Sequence, residues 1–122
     1  MSIYDLKVEV DRLKKITSGI CGVTHHNPAQ HGLAMSLYKE IELLSIAIKQ
    51  FEGEENPGLA ASIGRDIREI AKRARALAYS HPSLEATKRL EWVFNILNRM
   101  PKEGARKGGP QIVEAFEQGL AA

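Results

Sequence analysis

The sequence predicts an all-α protein, specifically a four-helix bundle with a short additional C-terminal helix. The first observation behind this prediction is that proline follows a capping or turn residue at four places, a pattern typical of helix starts. The second is that apolar residues between these places recur every three or four positions, while strand-like alternation is absent. The four dipeptides are Asn27-Pro28, Asn56-Pro57, His81-Pro82 and Gly109-Pro110.

Length and composition favour one globular domain. The chain has 122 residues, of which 43% are hydrophobic and 26% charged, enough to bury one core and too short to divide into two. Asp5 makes the N-terminus acidic, so we expect no signal peptide, and no apolar run approaches the roughly 20 residues that span a bilayer. Cys21 is the single cysteine, which excludes an internal disulfide. We therefore expect one domain, residues 1–122, in the cytoplasm and without membrane contact.

The first predicted helix covers about residues 2 to 18, and we expect Gly19 and Gly22 to end it. Its apolar face consists of Ile3, Leu6, Val10, Leu13 and Ile16.

The second predicted helix begins at Asn27-Pro28, where Gln30 stands at the position that completes a capping box. Its apolar stripe consists of Leu33, Leu37, Ile41, Leu44, Ile48 and Phe51. Further apolar residues lie away from this stripe, so we expect this helix to be central, with the others packed around it. They are Met35, Leu43, Ile46 and Ala47.

Two longer helices and a short one complete the prediction. The third helix, about residues 58 to 79, has a seam formed by Leu59, Ile63, Ile67, Ile70, Ala74 and Leu77. The fourth starts near Ser83 and ends at Met100-Pro101, with Thr87, Leu90, Phe94 and Leu97 along its seam. Residues 101–109 contain three glycines and are expected to form a mobile linker. The last helix, from Gln111 to about Leu120, places Ile112, Val113, Phe116 and Leu120 on one side.

The most informative functional feature is a cationic stripe on the third helix. It consists of Arg65, Arg68, Lys72 and Arg75, and Tyr79 continues it. The four cations are three or four residues apart, so they share one face that points away from the apolar seam. They are expected to contact the phosphate backbone of DNA or RNA without reading sequence. The alternative is an ordinary solvated face, although such faces usually mix charges of both signs.

A second cationic patch is predicted on the fourth helix. It consists of Lys88, Trp92, Asn95 and Arg99, and Arg106 and Lys107 of the linker are expected to extend it. Trp92 could stack on a base between two cations or anchor a protein interface. In a third interpretation, Trp92 and the neighbouring Ile96 are simply covered by the C-terminal helix.

Metal binding and catalysis are not favoured by the residue patterns. Cys21, His25, His26 and His31 include zinc-ligand types, but their spacing matches no structural zinc pattern, and a polar loop is the simpler interpretation. The sequence lacks a recognisable nucleophile with a base, a paired-carboxylate arrangement or a glycine-rich phosphate loop. We therefore predict no cofactor, no metal and no enzymatic activity.

In length, helical architecture and its outward basic helix, the chain resembles the small subunit of CRISPR effector complexes of the Cascade kind. The resemblance is architectural and transfers no individual residue. It implies several copies in a ribonucleoprotein, with basic faces along a nucleic-acid strand. The competing hypothesis is a scaffolding bundle that self-associates or docks on a larger protein through Trp92, Ile96 and the C-terminal helix.

Overall fold

The computed structural model describes residues 6–80 and 109–121, and the described chain is all-α, with no strand in these ranges. The helices are α1 (Leu6–Thr24), α2 (Pro28–Gly53), α3 (Pro57–Ser80) and the C-terminal helix (Gly109–Ala121). None of the described helices combines the length and apolar character needed to cross a membrane. The predicted fourth helix and the 101–108 part of the predicted linker lie outside the described residues.

The start of α2 confirms the predicted N-cap and corrects the predicted capping box. The Asn27 side-chain oxygen accepts a hydrogen bond of 3.2 Å from the backbone N–H of Gln30, which satisfies one otherwise unpaired donor of the first turn. The Gln30 side chain does not return to the backbone of Asn27. Its Nε2 donates instead to the carbonyl oxygen of Ser80, so the beginning of α2 lies beside the end of α3.

The first helix does not end at its glycines. α1 runs through Gly19 and Gly22 to Thr24, so the predicted end near residue 18 is wrong. Each interior glycine costs about 1 kcal/mol relative to alanine. The burial of Ile20 and Thr24 offsets this cost, and the Thr24 hydroxyl donates to the carbonyl oxygen of Ile20 at 2.8 Å. Packing of residues beyond the glycines therefore overrides local propensity.

The predicted start of α3 is confirmed. The side-chain oxygen of Asn56 accepts from the backbone N–H of Gly58 at 2.7 Å, and its backbone carbonyl accepts from Ala60 at 3.1 Å. Because the connections on either side of α2 are only a few residues long, α2 is antiparallel to both neighbours and packs against α1 and α3.

In the described part of the chain, the core is built mainly from the predicted seams of α1, α2, α3 and the C-terminal helix, and one side of α2 stays partly exposed. Fully buried core residues include Leu13, Leu37, Ile41, Leu44, Phe51, Ile63, Ile70, Leu77 and Phe116. On the opposite side of α2, Met35 is 47% exposed, Leu43 46% and Ile46 53%. These three side chains are therefore not covered by α1, α3 or the C-terminal helix, and the prediction that the other helices pack around α2 stays open because the predicted fourth helix lies outside the described residues. The spacing of apolar residues shows which positions of a helix are apolar. It does not show how many other helices pack against that helix.

The C-terminal helix packs closely on the first half of α3 through small residues. A methyl group added at Gly64 would overlap the carbonyl oxygen of Phe116, and one added at Gly119 would overlap the carbonyl oxygen of Ala61. Small residues at such a crossing let two helix backbones approach closely. Ile112 and Phe116 reach the common core from this helix, while the outward cations of α3 from Arg65 to Arg75 stay exposed.

Candidate nucleic-acid interface

The predicted cationic stripe is exposed on α3. Arg65, Arg68, Lys72 and Arg75 are all exposed, and Tyr79, which follows them, is 93% exposed. The folding reason is the burial of the seam on the other side of the helix, because a helix with one buried face must turn its other residues outward. At about 1.5 Å per residue, the stripe from Arg65 to Arg75 is about 15 Å long.

The four cations line one open groove with a volume of about 670 Å³. We call it the cationic groove. Its described lining residues are Arg65, Arg68, Glu69, Ala71, Lys72 and Arg75. A groove with cations along its length matches an extended polyanion better than a small uncharged molecule, because such a molecule would need an enclosing apolar wall.

Among the described lining residues of the groove Glu69 is the acidic one, and its carboxylate already forms an ion pair. Its Oε1 lies 3.1 Å from Nε of Arg73. Arg73 also places Nη2 3.5 Å from Oε1 of Glu40 and donates from Nη1 to the Ser36 hydroxyl. Arg73 is thus a cation of α3 that serves packing against α2 instead of the outward face. Sequence analysis missed this role, although the four-residue spacing of Glu69 and Arg73 is a recognisable ion-pair signal.

Asp66 follows Arg65 on α3 and lies near Glu40 of α2. Burial raises the pKa of its half-buried carboxyl above the ordinary value, the nearby Glu40 raises it further, and Arg65 opposes both effects. The negative charge of Asp66 therefore partly compensates the positive charge of Arg65. Arg68 and Lys72 take part in no ion pair or hydrogen bond in the described part of the chain, so their charges are the most available in the groove.

The predicted supporting patch lies outside the described residues. Its members on the predicted fourth helix and linker are Lys88, Trp92, Asn95, Arg99, Arg106 and Lys107. This patch therefore stays a prediction from the residue pattern.

The four candidate metal ligands of the sequence are distributed over the end of α1, the turn after it and the start of α2. They are Cys21, His25, His26 and His31. No group of three or more potential metal-binding side chains occurs within residues 6–80 and 109–121. Nδ1 of His25 lies 2.8 Å from the carbonyl oxygen of Gly22, and Nδ1 of His31 lies 3.2 Å from that of Cys21. Burial raises the pKa of the Cys21 thiol, which disfavours the thiolate that metals bind. The histidines instead contact backbone groups that close the turn.

Comparison of the chain with known protein families, with curated proteins and with solved structures finds no match in any of the three. Function is therefore inferred from the cationic groove and its surroundings.

Proposed function

We propose that this protein is a non-catalytic subunit of a larger ribonucleoprotein assembly that contacts the phosphate backbone of DNA or RNA without sequence specificity. The observation that carries the proposal is the cationic groove, in which four exposed cations follow one face of α3 and the acidic neighbour Glu69 is paired with Arg73.

The proposed contact is electrostatic. Each cation that pairs with a phosphate releases counterions, and arginine can also donate two parallel hydrogen bonds to phosphate oxygens. A stripe of about 15 Å can follow two or three successive phosphates. Because phosphate contacts carry no base information, this surface would bind many sequences alike. Tyr79, which is almost fully exposed, would offer a ring on which an unpaired base can stack.

The remainder of the chain is assigned a supporting role in this proposal. Residues 83–100 would complete a four-helix bundle, and Lys88, Trp92 and Arg99 would extend the cationic surface. Arg106 and Lys107 would add charge from the linker, and the protein would act in the cytoplasm. This arrangement is similar to the one implied by the resemblance to Cascade-type small subunits.

The test is the affinity for labelled single-stranded DNA, double-stranded DNA and RNA across a salt series. Two or three phosphate contacts predict a slope of log affinity against log salt between about −1.4 and −2.7, so affinity should fall roughly 7- to 40-fold between about 50 and 200 mM salt.

The decisive variant carries Arg68→Glu together with Lys72→Glu. We expect it to lose at least tenfold in affinity at low salt, because two phosphate contacts become repulsive. The matched control carries Lys7→Glu with Lys15→Glu, which changes net charge equally at two exposed positions of α1. It should bind nearly as well as the original chain.

Equal losses in the two variants would show that net charge, and not the groove, governs binding. Absence of binding by the original protein at low salt would remove the proposal for the free subunit. The scaffolding alternative would then be tested through Trp92 and Ile96.

A further inference from the structure

The outward side of α2 carries apolar side chains that are about half exposed. α1 lies on one flank of α2, where Lys7 and Glu52 form an ion pair of 3.7 Å. α3 lies on the other flank, where Arg73 reaches Glu40. The side between these flanks therefore has no helix from the described chain packed along its full length.

Four residues at helical spacing define this side, and we call them the outer strip of α2. They are Met35, Lys39, Glu42 and Ile46. The spacing of four, three and four residues keeps them on one face. Met35 and Ile46, at the two ends, are about half exposed, and Leu43 beside them is similarly exposed. Two apolar side chains thus enclose one cation and one anion.

The order of residues in the outer strip is complementary to itself. α2 spans Pro28–Gly53, so its midpoint lies between residues 40 and 41. If two copies of α2 pair antiparallel about this midpoint, Met35 of each copy faces Ile46 of the other. In the same register Lys39 of each copy faces Glu42 of the other. The apolar and ionic layers therefore match without any shift of one helix along the other.

We propose that the chain forms a two-fold symmetric homodimer through the outer strip of α2, with Lys39 of each copy paired with Glu42 of the second copy. Two-fold symmetry requires a surface that is complementary to itself, and the order of apolar and charged residues in this strip meets that requirement. Neither Lys39 nor Glu42 takes part in an ion pair in the described part of the chain, so both charges are available to a second copy.

The ends of the strip do not obstruct this pairing. Gly32 lies opposite Lys49 of the second copy in the same register, and no heavy atom lies within 4 Å of the position where a Gly32 side chain would begin. The lysine stem can therefore lie over the glycine. Two apolar layers and two solvent-exposed ion pairs make a small interface, so the dimer should be weak and reversible.

This inference does not depend on nucleic-acid binding. The outer strip lies on α2, whereas the cationic groove lies on α3. The dimer would carry two cationic grooves in one particle, which would strengthen binding to a long nucleic acid through multivalency. Self-association can nevertheless be measured without nucleic acid, so failure of one proposal is distinguishable from failure of the other.

The test is analytical ultracentrifugation of the full chain from micromolar to submillimolar concentrations, with a series of charge reversals. The original chain should show a concentration-dependent monomer–dimer equilibrium. Lys39→Glu and Glu42→Lys should each weaken the dimer at least about tenfold, because each creates two like-charge contacts across the interface. Glu117→Lys, a reversal at an exposed position of the C-terminal helix, should leave the dimerisation constant unchanged.

The most decisive experiment of this series mixes the two single variants. An equimolar mixture of the Lys39→Glu and Glu42→Lys proteins should form a heterodimer, because both cross-chain pairs then join opposite charges. Circular dichroism of each variant alone checks that both remain helical. A chain that stays monomeric throughout would overturn the proposal, as would a dimer that neither reversal weakens. Weakened single variants that do not recover on mixing would overturn the paired register.

Discussion

The inward faces of α2 and α3 are alike, whereas their outward faces differ. Both helices bury a continuous seam of isoleucine, leucine and alanine. Outward, α2 presents Met35 and Ile46 around one cation and one anion, while α3 presents four cations along one groove. Folding constrains the two seams in the same way, since each must pack into one core.

The difference between the outward faces is therefore informative about interactions. Solubility alone is satisfied by mixed charges, and it requires neither half-exposed isoleucine and methionine nor a run of cations. We interpret the apolar outward face as a contact with another copy and the cationic one as a contact with polyanions. This interpretation assumes that inward positions govern stability and outward positions govern association, an assumption that matched substitutions on the two faces can test.

The largest expected effect comes from two isoleucines of α2 that differ only in the direction they face. Ile41 is 1% exposed and Ile46 is 53% exposed. Ile41→Ala should lower the free energy of unfolding by about 2–5 kcal/mol, because it leaves a cavity in the core. Ile46→Ala should lower it by about 0.5 kcal/mol or less, since the side chain is already half in water. Urea denaturation at low protein concentration, where the monomer predominates, measures both.

The same two substitutions also distinguish an effect on the stability of the fold from an effect on dimer formation. Ile46→Ala should weaken the dimer, because it removes the apolar partner of Met35 in the second copy. Equal losses of stability for the two variants would mean that Ile46 is covered within the monomer. In that case the outward face of α2 would belong to the core and the contrast with α3 would disappear.

Features encoded by neighbouring residues could be predicted from the sequence. Asn27 and Asn56 cap their helices with bonds to residues two or three positions on, so their roles are visible locally. The Gln30 side chain bonds to Ser80, fifty residues away, and no local pattern predicts this. The cationic stripe was predictable from spacing alone. The engagement of Glu69 by Arg73, which also contacts Glu40 on α2, needed the packing of two helices.

The next prediction compares two helical glycines. Replacing a glycine by alanine is expected to destabilise the fold where two helices are in close contact and to stabilise it where no other atom is near. Gly64 lies where the C-terminal helix crosses α3, and Gly19 lies in α1 with no heavy atom within 4 Å of the position that an added methyl group would take. Gly64→Ala should destabilise the fold by about 1–3 kcal/mol, because the methyl group forces two backbones apart. Gly19→Ala should stabilise it by about 0.5–1 kcal/mol, because alanine loses less entropy in a helix.

Thermal and urea unfolding of both alanine variants measure whether each substitution raises or lowers the free energy of unfolding. Stabilisation by both substitutions would show that the crossing of α3 by the C-terminal helix is looser than the geometry requires.

The smallest expected effect is a pH dependence at Asp66, which lies near Glu40 of α2 and next to Arg65 of the cationic groove. Burial, and then Glu40, raise the pKa of this carboxyl in the folded protein. The folded chain therefore holds the proton more tightly than the unfolded chain, so this group lowers stability as pH rises through the raised pKa. Asp66→Asn should stabilise the protein at neutral pH, by less than about 1 kcal/mol because the carboxyl is half-exposed.

The gain from Asp66→Asn should shrink as pH falls and disappear below the ordinary pKa of aspartate, where both states are protonated. Urea denaturation of the variant and the original chain across this range gives the difference directly. A gain that is independent of pH would mean that the amide acts through packing and not through charge. A loss at neutral pH would mean that attraction between Asp66 and Arg65 outweighs burial, which would tie Arg65 to the fold and leave Arg68 and Lys72 as the principal cations of the groove.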